Sequence, residues 1–75
     1  MKIEFSRHSR RRIKLYGIPE SLIRRLLSNA DLQNGENEII RKVAEFKYPL
    51  KIISAVEKDT ATVITAYLFK KRRKK

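Results

Sequence analysis

The chain has no cysteine, one histidine, two glycines, two prolines and only eight acidic residues among its 75. Without cysteine, neither a disulfide nor a thiolate metal site can reinforce a small core. Stability then has to come from aliphatic packing, aided by a partner or a second copy of the chain. No apolar run approaches the roughly 18 residues of a membrane span, and Met1-Lys2-Ile3-Glu4 lacks the apolar stretch of a signal peptide. A cytoplasmic protein without membrane contact is expected. No metal, cofactor or nucleotide motif is present, nor any internal repeat, so no cofactor is expected. Functional expectation rests on basicity, one imidazole and the geometry of a small sheet.

At this length one domain is expected, near the size where a single core is only just adequate; a chain of about 60 residues buries roughly 60% of the surface it exposes when unfolded. The net charge of +11 is informative once located. Within the first 16 residues Lys2, Arg7, Arg10, Arg11, Arg12 and Lys14 stand against Glu4 alone, and residues 70–75 are all Lys or Arg. Everything between is neutral overall. A neutral body with two basic ends has a directed field that suits a polyanion, RNA or DNA above all. The domain is assigned to residues 1–69, and 70–75 to a like-charge tail expected to fray unless an anion neutralises it.

Residues 1–5 alternate, with Ile3 and Phe5 on one side and Lys2 and Glu4 on the other, as in a strand exposed on one face. From Arg7 the period becomes helical. Ser6 can cap, Arg12, Ile13, Leu15 and Tyr16 bring apolar atoms to one side, and Gly17 supplies a left-handed stop. Pro19 suits the first position of a second helix and Glu20 complements its dipole. Leu22, Ile23, Leu26, Leu27 and Ala30 then form a buried stripe, with Arg24, Arg25 and Ser28 opposite. Asn34-Gly35 is a strong turn signal.

The segment 38–46 satisfies helix and strand about equally, and is read as a strand because the hairpin that follows needs a neighbour. That hairpin comprises 50–57 and 60–69, with Lys58-Asp59 as a two-residue turn. In this register Glu57 faces Thr60, Ile52 faces Thr65 and Leu50 faces Tyr67. One face carries Leu50, Ile52, Val56, Val63 and Tyr67; the other carries Ile53, Ala55, Ile64, Ala66 and Leu68. Two helices cover only one face of such a sheet, leaving the other to curve, to meet a partner or to stay open.

Metal-free cleavage of RNA needs a base for the 2′-OH proton, cations aimed at the phosphorus and an acid for the leaving oxygen. His8 can serve as base or acid because its unperturbed pKa of about 6.5 lies near working pH. Arg12 follows one helical turn later, so both can address one phosphate. Arg10 and Arg11 can hold neighbouring phosphates. Thr65 and Tyr67 share a face of the last strand and can supply hydroxyl contacts, Tyr67 also stacking on a base. One histidine cannot fill two proton-transfer roles, and the second falls to Tyr67, a lysine or an arginine. Arg7, Lys14 and the tail residues Lys70, Lys71, Arg72 and Arg73 complete the expected phosphate contacts.

The run Phe5-Ser6-Arg7-His8-Ser9, then Arg12, then Gly17-Ile18-Pro19-Glu20, resembles the N-terminal signature of a family of short prokaryotic domains of unknown function. That signature reads Phe-Ser/Thr-x-His-Ala-x-x-Arg, then Arg-Gly-Ile and an acidic helix start. Val63-Ile64-Thr65-Ala66-Tyr67 resembles the same family's closing strand, which ends in Thr-x-Tyr. Ser9 stands where alanine is usual, and Tyr16 where an arginine often precedes the glycine, removing one phosphate ligand. The family is similar in layout to the RelE/ParE superfamily of toxins and to BrnT-like toxins. The resemblance implies an α+β fold of order β-α-α-β-β-β, with two helices packed on a twisted antiparallel sheet. Extended to activity, it implies metal-independent mRNA cleavage held in check by an acidic antitoxin, although ParE-like relatives act on a protein target.

Three functions are therefore expected in competition: a toxin-like ribonuclease or degenerate relative centred on His8 and Arg12, a non-catalytic nucleic-acid-binding module, and a protein-interaction domain, including a homodimer, that uses the open sheet face.

Overall fold

A computed structural model of the chain describes residues 2–69. The elements run β1 (Lys2–Phe5), α1 (Arg7–Tyr16), α2 (Glu20–Ser28), β2 (Gly35–Arg41), β3 (Leu50–Glu57) and β4 (Thr60–Leu68). This is the expected α+β order. The four strands form one sheet in the order β1-β4-β3-β2. β2, β3 and β4 are antiparallel neighbours, whereas β1 pairs with β4 in parallel, so the sheet is mixed rather than antiparallel throughout. The cause is connectivity: two helices carry the chain over the sheet between β1 and β2, and such a crossover restores the original strand direction.

The helices cover one face. Leu50, Ile52 and Val63 from the sheet meet Ile13 of α1 and Leu22, Ile23 and Leu27 of α2 in a single core. Ile23 and Ile52 are wholly excluded from solvent, and a fully buried aliphatic side chain contributes about 1.5–3 kcal/mol. The stripe expected of the second helix is present from Leu22 to Leu27, with Leu26 half-buried, whereas Ala30 lies beyond the helix end at Ser28 and packs half-buried against the same core.

Three local expectations are corrected. Pro19 caps α2 from outside, with extended backbone at ψ 138, and Glu20 is the first helical residue. The strand expected over 38–46 is instead Gly35–Arg41, where Asn37 secures the entry by accepting from the Gln33 N–H and donating to the Gln33 and Gly35 carbonyls. Hairpin register is the largest change. Glu57 does face Thr60, but between Ile53 and Ser54 the ladder slips by one residue, so that Ile52 faces Ala66 and Leu50 faces Leu68. Ile64 is the extra residue of a β-bulge, and beyond it every side chain of β4 changes face. Ala66 is buried in the core and Tyr67 stands on the open side.

Candidate nucleic-acid interface

α1 is held by its two ends. The Ser6 hydroxyl accepts from the Ser9 N–H at 3.1 Å, the expected N-cap, and also donates to the Ile64 carbonyl at 3.1 Å. The Ser6 N–H donates to the Val63 carbonyl. One residue therefore ties together the end of β1, the start of α1 and the bulge of β4. Ser9 is fully buried, its hydroxyl donating to the Ser6 carbonyl at 2.8 Å. At the far end Gly17 takes the left-handed conformation, φ 68, as expected. Its N–H reaches the Lys14 carbonyl while the Ile18 N–H reaches the Ile13 carbonyl, the paired bonds of a Schellman stop, with buried Ile13 and Ile18 as its apolar contact.

Between these ends only Ser9 and Ile13 are buried. The exposed surface carries Arg7, Arg10, Arg11 and Lys14 with His8 and Leu15 among them, and Arg12 and Tyr16 are half-buried. At 3.6 residues per turn, Arg7, Arg11 and Lys14 form one row and His8, Arg12 and Leu15 the next. His8, Arg11, Arg12 and Leu15 line a shallow concavity of about 370 Å³, and Leu15 is 74% exposed. No ion pair or side-chain hydrogen bond among the described residues involves Arg7, Arg11, Arg12 or Lys14. The first turn holds no acidic residue, so the positive end of the helix dipole adds to the charge of Arg7.

Arg10 is differently employed. Its guanidinium donates to Glu20 at 2.6 Å and lies over the Phe5 ring, 5.5 Å from the centroid. Arg24 of α2 covers the same ring at 5.1 Å, donates to the Ile3 carbonyl and approaches Glu20 at 3.9 Å. This network pins β1 to both helices.

The expected site residues fall into two groups. His8, Arg11 and Arg12 come together on α1, with Arg7 and Lys14 beside them. Thr65 and Tyr67 lie on the open side of the sheet, away from the helices, as the bulge requires. Lys70, Lys71, Arg72 and Arg73 lie outside the described residues. Three residues not expected at a site stand out: Leu15, which was expected on the apolar side of the helix but is exposed in the concavity, and Lys51 with Phe69 beside Tyr67. Lys51, a lone charge between Leu50 and Ile52, is the sequence signal for the latter two. Its ammonium bonds Glu38 at 2.6 Å and lies 5.8 Å from the Tyr67 ring centroid and 5.0 Å from that of Phe69. The bond to Glu38 raises its pKa above the ordinary lysine value, burial opposes the rise, and a hydrogen bond with Tyr67 supports it.

Among the described residues no helix is long and apolar enough to cross a membrane, and no group of three His, Asp or Glu lies close enough to hold a metal. No protein-family model, curated protein or solved structure matches the chain. Chemically, α1 offers multidentate guanidinium contacts to a row of phosphates, with one exposed imidazole among them.

Proposed function

We propose that the protein is a nucleic-acid-binding module that seats a phosphate backbone along α1. The supporting observation is the contrast within one helix: Arg10 is paired with Glu20, while exposed Arg7, Arg11 and Lys14 and half-buried Arg12 have no acidic partner among the described residues. The test is fluorescence anisotropy with a labelled oligonucleotide over a range of salt concentrations. Affinity falls with salt, by about 0.7 in log–log slope for each phosphate contact to a single strand. The triple variant Arg7→Ala, Arg11→Ala, Arg12→Ala lowers the slope by about 2 on the same rule. An unaltered slope in the triple variant removes α1 from the interface.

A second reading, metal-independent RNA cleavage, is favoured by the shared concavity of His8 and Arg12. In that reading RNA is cut in EDTA and His8→Ala stops the cutting without changing the circular dichroism. Tyr67, on the opposite side of the sheet, does not serve as the second proton carrier at that concavity. In either reading the cationic arc of α1 is the surface an acidic protein inhibitor of the antitoxin kind covers.

A further inference from the structure

The sheet has two edges, and they are treated differently. β1 is four residues long, and its Ile3 carbonyl is taken by the Arg24 guanidinium of α2. β2 is seven residues long, carries no proline, keeps an unbroken register with β3 and pairs with that strand alone. An edge of this length is a template for another strand.

The ladder fixes which groups face outward. Opposed residues in an antiparallel pair alternate between exchanging both backbone bonds and exchanging neither. The Phe69 N–H donates to the Pro49 carbonyl at 2.7 Å, so Pro49, Lys51 and Ile53 turn their backbone groups toward β4. Leu50, Ile52, Ser54 and Val56 then turn theirs toward β2, where Arg41, Ile39, Asn37 and Gly35 answer them. Glu36, Glu38 and Ile40 therefore present N–H and C=O to the outside. The Ile40 carbonyl accepts from the guanidinium of adjacent Arg41 at 3.1 Å, an exposed bond that another strand can replace.

An outward row pairs only with another outward row, which limits the registers open to two copies related by a twofold axis. Centring the pair on Glu38 sets Glu38 against itself, and centring it on Asn37 sets Glu36 against Glu38. Both place like charges directly opposite each other. Centring it on Ile39 sets Glu38 against Ile40 of the second copy and Glu36 against Lys42, with Asn37 against Arg41 on the helix side. A further shift, to Ile40, leaves only residues 39–41 of the strand in overlap.

We infer that β2 pairs antiparallel with β2 of a second copy of this chain, centred on Ile39, to form one continuous sheet. Ile40, 43% exposed in the single chain, is then flanked by Lys51 of its own chain and Glu38 of the second copy. Opposed residues share a face, so the helices of both copies cover the same side and two α1 surfaces are presented together. A net charge of +11 opposes the approach of two copies, and salt screens that repulsion. Pairing therefore strengthens with salt, whereas nucleic-acid binding weakens. The inference does not depend on the reading of α1.

The full chain is tested by sedimentation equilibrium over a range of protein and salt concentrations, and by amide hydrogen exchange. A dimer is expected, more populated at high salt. In dilute solution the amides of Glu36, Glu38 and Ile40 exchange fast and become protected as concentration rises, while those of Asn37, Ile39 and Arg41 are protected throughout. Ile40→Pro removes an N–H that the single chain leaves outside its ladder, a position where proline is tolerated. It is expected to raise the dimer dissociation constant at least about tenfold with circular dichroism unchanged. Glu36→Lys is expected to weaken the dimer, and Glu36→Lys with Lys42→Glu to restore it. A wild type still monomeric at about 1 mM, whether or not a strand of another protein takes the edge, overturns the inference. So does a folded Ile40→Pro variant that dimerises normally. Dimerisation that Glu36→Lys leaves unchanged overturns the register centred on Ile39.

Discussion

The two helices are nearly equal in length and packed on the same sheet, yet they use their residues in opposite ways. α2 buries Leu22, Ile23 and Leu27 and ties two of its three charges to neighbouring elements: Glu20 receives Arg10 and Arg24, and Arg24 also bonds the Ile3 carbonyl. It has no side-chain cap, because an apolar stripe is enough to hold it. α1 buries little and is fastened at its ends instead, by Ser6 and by the Gly17 stop. Fastening by caps leaves a helix free to carry charge on most of its circumference. The comparison separates a helix that supports the fold from one that presents a surface.

The largest effect is expected where support is concentrated. Ile23→Ala, at a fully buried position of α2, should destabilise the protein by about 3 kcal/mol in urea unfolding, while the remaining folded protein keeps its salt slope for nucleic acid. The α1 triple arginine variant should do the reverse. Its affinity drops at least about tenfold, equivalent to about 1.4 kcal/mol, while its melting temperature changes little, because Arg7 and Arg11 are exposed, half-buried Arg12 lies outside the core, and surface substitutions away from special features stay within about 0.5 kcal/mol each. A marked fall in melting temperature would make those arginines structural and erase the contrast.

Smaller effects sharpen it. Ser6→Ala removes the fastening of α1 and should cost about 1 kcal/mol, with affinity reduced in proportion to fraying of the first turn, as hydrogen exchange at Ser9 and Arg10 would report. The smallest concerns the open face. Because the Lys51 pKa is raised in the fold, its contribution to stability is complete below the unfolded lysine value of about 10.4 and is lost as pH rises through the folded value. The stability difference between wild type and Glu38→Gln should therefore be steady near neutrality and shrink in strongly alkaline solution; a difference that grows there would assign the raised pKa to another partner.

Much of the fold was legible because its punctuation is local. Ser6, Gly17 and the apolar stripe of α2 act within one or two turns of chain, and each appears where the residue chemistry places it. The bulge at Ile64 was not legible. Thr62, Val63, Ile64 and Thr65 are all β-branched and suit an unbroken strand equally well, with no glycine to mark an extra residue. What favours the bulge is distant in sequence: Ser6 bonds the Val63 and Ile64 carbonyls from the start of α1. The parallel pairing of β1 is likewise a property of the crossover, not of the residues 2–5. For the candidate site, the grouping of His8 with Arg11 and Arg12 follows from helical period, whereas joining them to Tyr67 depended on a register the bulge does not permit.

The pairing of Lys2–Phe5 with Thr60–Val63 joins segments 58 residues apart. Contacts of such separation form late, because closing a long loop costs entropy before the contact rewards it. During synthesis α1 emerges well before β4, and the Val63 and Ile64 carbonyls that anchor Ser6 do not yet exist. Its arginines therefore become a fixed array only after β4 has been made, so that the cationic surface of α1 is completed by the last strand of the sheet.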